Sequence, residues 1–307
     1  MKYKYSGHGT FPCRYTWLPK AVRALKSKPN LFSNVDEAMV ELGVGKQMVR
    51  AIRFWVEAAK IAEKDEKNNL KVTPLGEKLM GANGFDSFME DSQTLWLIHW
   101  NFSTHRKNPI FAWDFLMNRW QEPEISPSHV VDVFVKEAQS TGKKLSKVTL
   151  KEHFDVFLHT YLPTRGIKGD ILEDNLDSPL IELDLIRQVG ERALDGQNGK
   201  RESVYTFNRD HKPQLSQALF VYCLNDFWNN HNDREGTLSF REVASGYTSP
   251  GQVFKLPEQE IVNRLDNIEN DTGGAIRFHE SVNVSQLIRE KTLNAENLLN
   301  SIYSEGI

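Results

Sequence analysis

The sequence predicts a mainly α-helical chain with small β elements, an α+β fold. Three observations lead there. Apolar residues recur at helical spacing along much of the chain, whereas alternating apolar–polar segments are short and few. Hydrophobic residues make up 39% and charged residues 26%, a balance that can bury a core. At 307 residues, and roughly 100–200 residues per domain, two or three domains are expected. A mean hydropathy of −0.50 and the lack of any apolar run of ~18 residues argue against a membrane-spanning helix. The opening MKYKYSGHGT is basic, but no apolar segment follows it, so it does not read as a secretory signal. Cys13 and Cys223 lie far apart with no CxxC pair. That excludes a zinc ribbon and suits a reducing cytoplasm.

The clearest local pattern runs from Asn34 to about Met80. Asn34 or Ser33 can cap a helix whose first turn carries Asp36 and Glu37. Val35, Ala38, Met39 and Leu42 then recur at helical spacing, and Gly43 ends the helix. Val44-Gly45-Lys46 forms a short turn. A second helix begins at Gln47, with Met48, Ile52, Trp55, Val56 and Ala59 on one stripe. Two helices joined by a short Gly-containing turn follow the helix-turn-helix plan. The polar run Glu63 to Asn69 leads into a strand, Leu70 to Val72. A turn at Thr73-Pro74-Leu75-Gly76 follows, and then a helix from Glu77. A charged loop returning into a strand reads as a wing. Residues 1–85 are therefore expected to form a basic arm and a winged helix-turn-helix domain.

Residues 86–165 read as a helical domain. Aromatic residues from Phe85 to Trp120 have helical spacing interrupted at Asn108-Pro109, and a buried core is their expected use rather than base stacking. Ser128 to Gln139 and Ser146 to Tyr161 are capped amphipathic helices. Residues 166–307 read as an α+β domain. Strands are expected at Pro179 to Ile186 and Val204 to Phe207, and a long helix from Gln214 to about Trp228. A second helix-turn-helix pattern follows: Ser239 to Ala244, a turn through Ser249-Pro250-Gly251-Gln252, and a helix from Glu258 to Ile268. A small wing-like hairpin, Ala275–Phe278 with Val282–Val284, comes after it. A helix from Asn294 closes the chain.

Charge is unevenly distributed. The net charge is −3, yet Lys2, Lys4, Arg14, Lys20, Arg23, Lys26 and Lys28 precede the first acid, giving the arm +7. Between Asp170 and Asp195 eight acids face only Arg187 and Arg192. Such polarity suits one face for phosphates and another for cations or a basic partner. On the second helix Lys46, Gln47, Arg50, Arg53 and Lys60 lie largely off the apolar stripe; a helix entering the major groove of double-stranded DNA would use those at its start and middle, Lys46, Gln47, Arg50 and Arg53. With Arg14 and Lys20 of the arm they form the expected DNA-binding set. The plainer alternative pairs Arg50 and Arg53 with Glu41 and Glu57.

No Walker loop, Gly-x-Ser-x-Gly or His-Glu-x-x-His motif is present. Three weaker constellations bear on catalysis. Asp170, Glu173, Asp174 and Asp177 are spaced to share a helical face and could hold Mg2+, although a solvated acidic loop has the same composition. Asp184 with Asp210-x-Lys212 approximates the acid and acid-x-Lys pair of metal nucleases. His231 within Asn229-Asn230-His231-Asn232-Asp233 has the composition of a His-Asn nuclease site, but lacks its partner histidine.

The segment Tyr5-Ser6-Gly7-His8-Gly9-Thr10-Phe11-Pro12-Cys13-Arg14-Tyr15-Thr16-Trp17-Leu18 resembles the opening signature of a bacterial family long classed as a domain of unknown function. Glu41 to Trp55, Phe154 to Leu158, Ser178-Pro179-Leu180, Asp226-Phe227-Trp228 and Ser249 to Leu256 resemble its further motifs, so the likeness reaches to about residue 290. Members accompany DNA phosphorothioation and phage-defence operons. The resemblance implies a Mg2+-dependent DNA nickase (an endonuclease), working beside a cysteine desulfurase and an ATP-using sulfur-transfer enzyme. It supplies no nuclease motif that can be carried over. His8, Arg14 and Tyr15 belong to the signature, either to touch a phosphate or to pin the arm to the core. The rival expectation is a non-catalytic module or transcriptional regulator that positions DNA for partner enzymes.

Overall fold

Short polar side chains set where the helices start. Asn34 accepts from the backbone N–H groups of Asp36 and Glu37, opening α2 (Val35–Leu42) after α1 (Trp17–Ser27) and a 3-10 turn at Leu31–Ser33. The left-handed Gly43 (φ 63°) stops α2, and α3 (Lys46–Ala58) follows Gly45. Each such cap is worth about 1 kcal/mol. Residues 2–163, 178–194, 199–231, 236–281 and 284–304 are described by the computed structural model.

The strands β1 (Ala62–Lys64) and β2 (Leu70–Val72) pair as an antiparallel hairpin. Thr73-Pro74 is the start of α4 (Pro74–Met80) rather than a free turn. The Thr73 hydroxyl accepts from Gly76 N–H, and proline suits the first helical position. Gly76 has no room for a side chain, since a Cβ there would meet the Ile61 carbonyl at 2.2 Å. Helix α1 packs on α3, β2 and α4.

α5 (Ser92–Ser103) is buried on every side from Thr94 to its end. It is joined by α6 (Phe111–Asn118), α7 (Pro127–Ser140) and α8 (Lys147–Tyr161). Their aromatic residues form the core: Trp55 of α3 lies 4.8 Å from Phe102 and 5.5 Å from Trp113 between ring centres. The buried Tyr161 hydroxyl accepts from the Trp113 indole and bonds His99 Nδ1 at 2.7 Å. These tryptophans are therefore core residues, unavailable for stacking on bases.

Pro179–Leu183 is a 3-10 helix, not the expected strand, and Asp184 at φ 45° turns the chain out of it. Only then does β3 (Ile186–Ala193) begin, paired with β4 (Arg201–Phe207). Next comes α9 (Gln217–His231), which starts later than expected because a turn follows Pro213. Then come β5 (Thr237–Ser239), α10 (Phe240–Ser245), α11 (Pro250–Phe254), α12 (Glu258–Asp266) and α13 (Ile268–Asp271). The expected turn at Ser249–Gln252 is thus the capped first turn of α11. The strands β6 (Ile276–Glu280) and β7 (Ser285–Arg289) pair as a hairpin, with β7 lying later than the expected Val282–Val284. β5 joins the other edge of β7, giving a three-stranded sheet. α14 (Ala295–Ile302) packs on α9.

The chain divides into two compact units, Met1–Phe115 with Gln121–Asn208, and Leu116–Trp120 with Arg209–Ile307. In the second, Leu224 and Trp228 of α9 are buried, as are Ile261, Leu265, Ile276 and Leu287. The Arg289 guanidinium lies 4.3 Å from the centre of the Trp228 ring. Lys255, fully buried, donates to the Met117 carbonyl at 2.5 Å.

In the first unit the arm is fixed by two histidines. Lys4 forms a β-bridge to Ile110, and the Tyr5 ring lies 4.6 Å from Phe111. The Ala112 backbone N–H donates to His153 Nε2 at 3.0 Å. That leaves the proton of a neutral His153 on Nδ1, which donates to His8 Nε2 at 2.7 Å. His8 Nδ1 in turn donates to the Gly9 carbonyl at 2.6 Å. Every ring nitrogen is satisfied with both rings neutral. Gly7, at φ 120°, lets the chain pass over Phe54, where a Cβ would come within 2.7 Å of the ring. His8 therefore pins the arm onto the core.

Burial pulls the His8 imidazole down to about 4, and burial beside His8 holds His153 well below its ordinary value. The unfolded chain takes up these protons near pH 6.5, before the folded one does. Stability is therefore full above pH 6.5 and falls as the pH drops toward 4, by up to ~1.4 kcal/mol per pH unit for each ring. Thermal melts between pH 7 and 4 are expected to follow this decline. A His8→Leu variant should be less stable at pH 7 by on the order of 1–3 kcal/mol, because the His153 N–H loses its acceptor. Its pH dependence should be shallower, and an equally steep decline would assign the acid sensitivity to other groups.

Candidate nucleic-acid interface

α3 has two faces because its apolar residues hold it in the core. Val49, Ile52, Trp55 and Val56 are buried, whereas Lys46, Gln47 and Arg50 are exposed. Met48, placed on the apolar stripe from the sequence, is only half-buried, and Val49 takes its place. Lys46, Gln47 and Arg50 make no side-chain hydrogen bond or ion pair among the described residues. Gly45 leaves the N–H groups of the first turn uncapped by any side chain, so the positive end of the helix dipole lies beside Lys46 and Gln47. This exposed turn can accept phosphate or the acceptor edge of a base.

Arg53 is committed elsewhere. Its Nε lies 3.6 Å from Glu57 Oε1, and Nη1 donates to the Phe32 carbonyl at 3.5 Å. Half of the plainer alternative pairing is thus formed. Glu41 is not paired with Arg50; it is bound by Lys28 at 3.0 Å.

The arm's charge is partly neutralised in the same way. Lys28 also reaches Glu37 at 3.2 Å, and Lys26 meets Glu77 at 2.5 Å. Lys20 donates to the Leu42 carbonyl at 3.3 Å, which closes the end of α2, and the Arg14 guanidinium lies 5.5 Å from the centre of the Trp17 ring. Tyr15 donates to the Glu182 carboxylate, a contact that ties the arm to the chain after residue 178. Arg23 was not singled out by the sequence. It is exposed, has no side-chain partner among the described residues, and sits one turn from Lys20 on α1. The i, i+3 spacing was the available signal. Lys67, at the tip of the β1–β2 hairpin, is likewise exposed and without a side-chain partner among the described residues.

The acidic set Asp170, Glu173, Asp174 and Asp177 lies outside the described residues. Among the described residues no group of three or more His, Cys, Asp and Glu side chains could hold a metal ion. Asp184 is not on a strand. Its carboxylate binds Arg187 and accepts from Asn208 Nδ2 at 3.0 Å. Asp210 and Lys212 follow β4 in irregular chain, and the Lys212 amine donates to the Asp210 carbonyl at 2.7 Å. The acid and acid-x-Lys pair on neighbouring strands is therefore not formed. His231 stacks on Phe227 and lies 3.6 Å from Glu242, a helix-end arrangement.

No helix among the described residues is long and apolar enough to cross a membrane. Two solved structures resemble the whole chain, the magnesium ion-bound SspB crystal structure and the SspB crystal structure. Each has a TM-score of 0.84 and 25% identity, covering 98% of this chain and 89% of the other. A comparison with curated proteins gives no match. The family described as "Protein of unknown function (DUF4007)" matches residues 5–303. The chain belongs to that family.

Proposed function

We propose that this protein holds double-stranded DNA with an N-terminal winged helix and, with Mg2+, nicks it within a bacterial phosphorothioation system that defends against phage. Lys46, Gln47 and Arg50, exposed and without a side-chain partner among the described residues, lie on the second helix of a helix-turn-helix pair and carry the DNA-binding part of this reading. α3 enters the major groove, the β1–β2 hairpin is the wing beside it, and Lys20 and Arg23 of α1 face the backbone. Arg14 and Arg53 contribute after release from Trp17 and Glu57. The α10–α12 helices with the β5-β7-β6 sheet fit a second winged helix.

Nicking rests on the likeness to SspB, one structure of which contains magnesium. The donors among the described residues do not fit a metal site. The metal-holding role stays with Asp170, Glu173, Asp174 and Asp177, outside the described residues. A cysteine desulfurase and an ATP-using sulfur-transfer enzyme are the expected partners, in the cytoplasm. The rival reading is a module that positions DNA without cutting it, since Lys46, Gln47 and Arg50 need no metal to hold a duplex.

Two measurements test these readings. Lys46→Ala and Arg50→Ala should each weaken duplex binding, and each should lower the slope of log affinity against log salt by about 1 if the residue contacts one phosphate. Arg53→Ala should change both less. Unchanged binding in the Lys46→Ala/Arg50→Ala pair would remove α3 from the interface. Supercoiled plasmid should become open-circular with Mg2+ and stay intact with EDTA. Changing the four acids to alanine together should abolish the nick without changing plasmid binding. Plasmid that is bound yet intact with Mg2+ would favour the positioning module.

A further inference from the structure

Beyond the exposed face of α3, the end of that helix, the β1–β2 hairpin and the loop after α5 enclose a cavity of about 500 Å3. Its ionised lining is Lys4, Lys60, Lys64, Lys107, Glu57 and Glu63. Both carboxylates are already engaged. Glu63 pairs with Lys71 at 3.2 Å, and Glu57 is shared between Arg53 at 3.6 Å and Lys64 at 3.7 Å. Lys60 and Lys107 make no side-chain hydrogen bond or ion pair among the described residues. The Lys4 ammonium lies 5.6 Å from the centre of the Phe54 ring; burial lowers its proton affinity, and the Glu57 carboxylate raises it. Four ammonium groups thus converge on two carboxylates.

The backbone that carries Lys60 is held in place. Lys60 stands at φ 59°, a conformation that disfavours its side chain, and the Thr73 hydroxyl binds its carbonyl at 2.7 Å. His105 closes one wall, donating from Nε2 to the Ala58 carbonyl at 2.8 Å. A concave site lined by four ammonium groups and two carboxylates favours a compact anion over water. The volume lies in the range of small-molecule sites, roughly 300–1,000 Å3, so it takes more than a bare ion.

We propose that this cavity binds a phosphate group carried by a nucleotide-sized ligand, with Lys60 and Lys107 as the principal contacts and Lys4 and Lys64 beside them. The phosphate comes either from a free nucleotide or from a DNA strand. The site stands on its own geometry and does not depend on α3 binding a duplex.

Calorimetric titration of the full chain tests it, with three probes: dAMP, a short 5′-phosphorylated oligothymidylate and its 5′-hydroxyl counterpart. At least one is expected to bind, and to bind about tenfold more weakly to Lys60→Asn/Lys107→Gln, where asparagine tolerates the left-handed backbone. Binding of dAMP identifies a free-nucleotide site. Binding of only the phosphorylated oligonucleotide identifies a strand end, and equal binding of both oligonucleotides identifies the backbone. If the double variant melts early, Lys64→Gln/Lys107→Gln replaces it. Arg50→Ala should leave dAMP binding unchanged, which separates this site from α3. No binding of any probe, or affinity undiminished in a natively folded double variant, would overturn the proposal.

Discussion

The His8–His153 hydrogen bond decides where the arm goes, and through the arm it decides how α3 is seated. The rings are nearly parallel, with an interplanar angle of 13°, and each is almost wholly excluded from water. A buried imidazolium would need an acceptor on every nitrogen. His153 Nε2 instead meets a backbone donor, so protonation of that ring would break the chain of bonds. The neutral pair brings Gly7 against Phe54 and sets the His8 ring 6.0 Å from Trp55. Trp55 then donates its indole N–H to the Phe11 carbonyl at 3.1 Å. One side of α3 is thereby tied to the arm by Phe54 and Trp55. Rotating the helix about its axis would break these contacts and the aromatic core behind them. The signature residues thus act on the seating of α3 through packing.

A similar division governs charge. Exposed ion pairs contribute little stability, typically under ~1 kcal/mol. Their effect here is on which cations remain available. Lys26, Lys28 and Arg53 are directed at acids on the same unit, and Lys20 at a helix end. Lys46, Arg50 and Arg23 are exposed and have no side-chain partner among the described residues. The +7 of the arm therefore overstates its reach, while the smaller set on α3 and α1 remains open to a polyanion. Arg53 lies one turn beyond Arg50 and faces Glu57 at i+4, a spacing that favours the pair.

Much of this was legible in the sequence, for identifiable reasons. Asn34, Gly43, Ser146 and Asn294 each act through bonds within a few residues, so the boundaries they set follow from local chemistry. The tryptophans carry helical periodicity, so their burial followed too. The strand expected at Pro179–Ile186 failed because Pro179 and a left-handed Asp184 shape a 3-10 turn that alternating residues do not reveal. β5 was missed because three residues, Thr237 to Ser239, give no period; it is a strand only because β7 lies beside it. The histidine chain and the lysine cavity were invisible for the same reason. His8 and His153 are 145 residues apart, and Lys4 and Lys107 come from elements that only the fold brings together.

Net charge and local charge finally act on different length scales. The chain as a whole carries −3, which would repel DNA at long range. At physiological ionic strength that repulsion is screened beyond a Debye length of about 8 Å. Within that distance the field at the start of α3 is set by Lys46, Arg50 and the uncapped helix end, whose nearby acids Glu37 and Glu41 are occupied by Lys28. Because Ile52, Trp55 and Val56 fix the helix in the core, the uncapped N–H groups of its first turn and the backbone that carries Lys46 and Arg50 stand in place. An acidic protein can in this way present a cationic surface without being basic overall. The requirement is local: the cations on one face of one buried helix must have no carboxylates within reach.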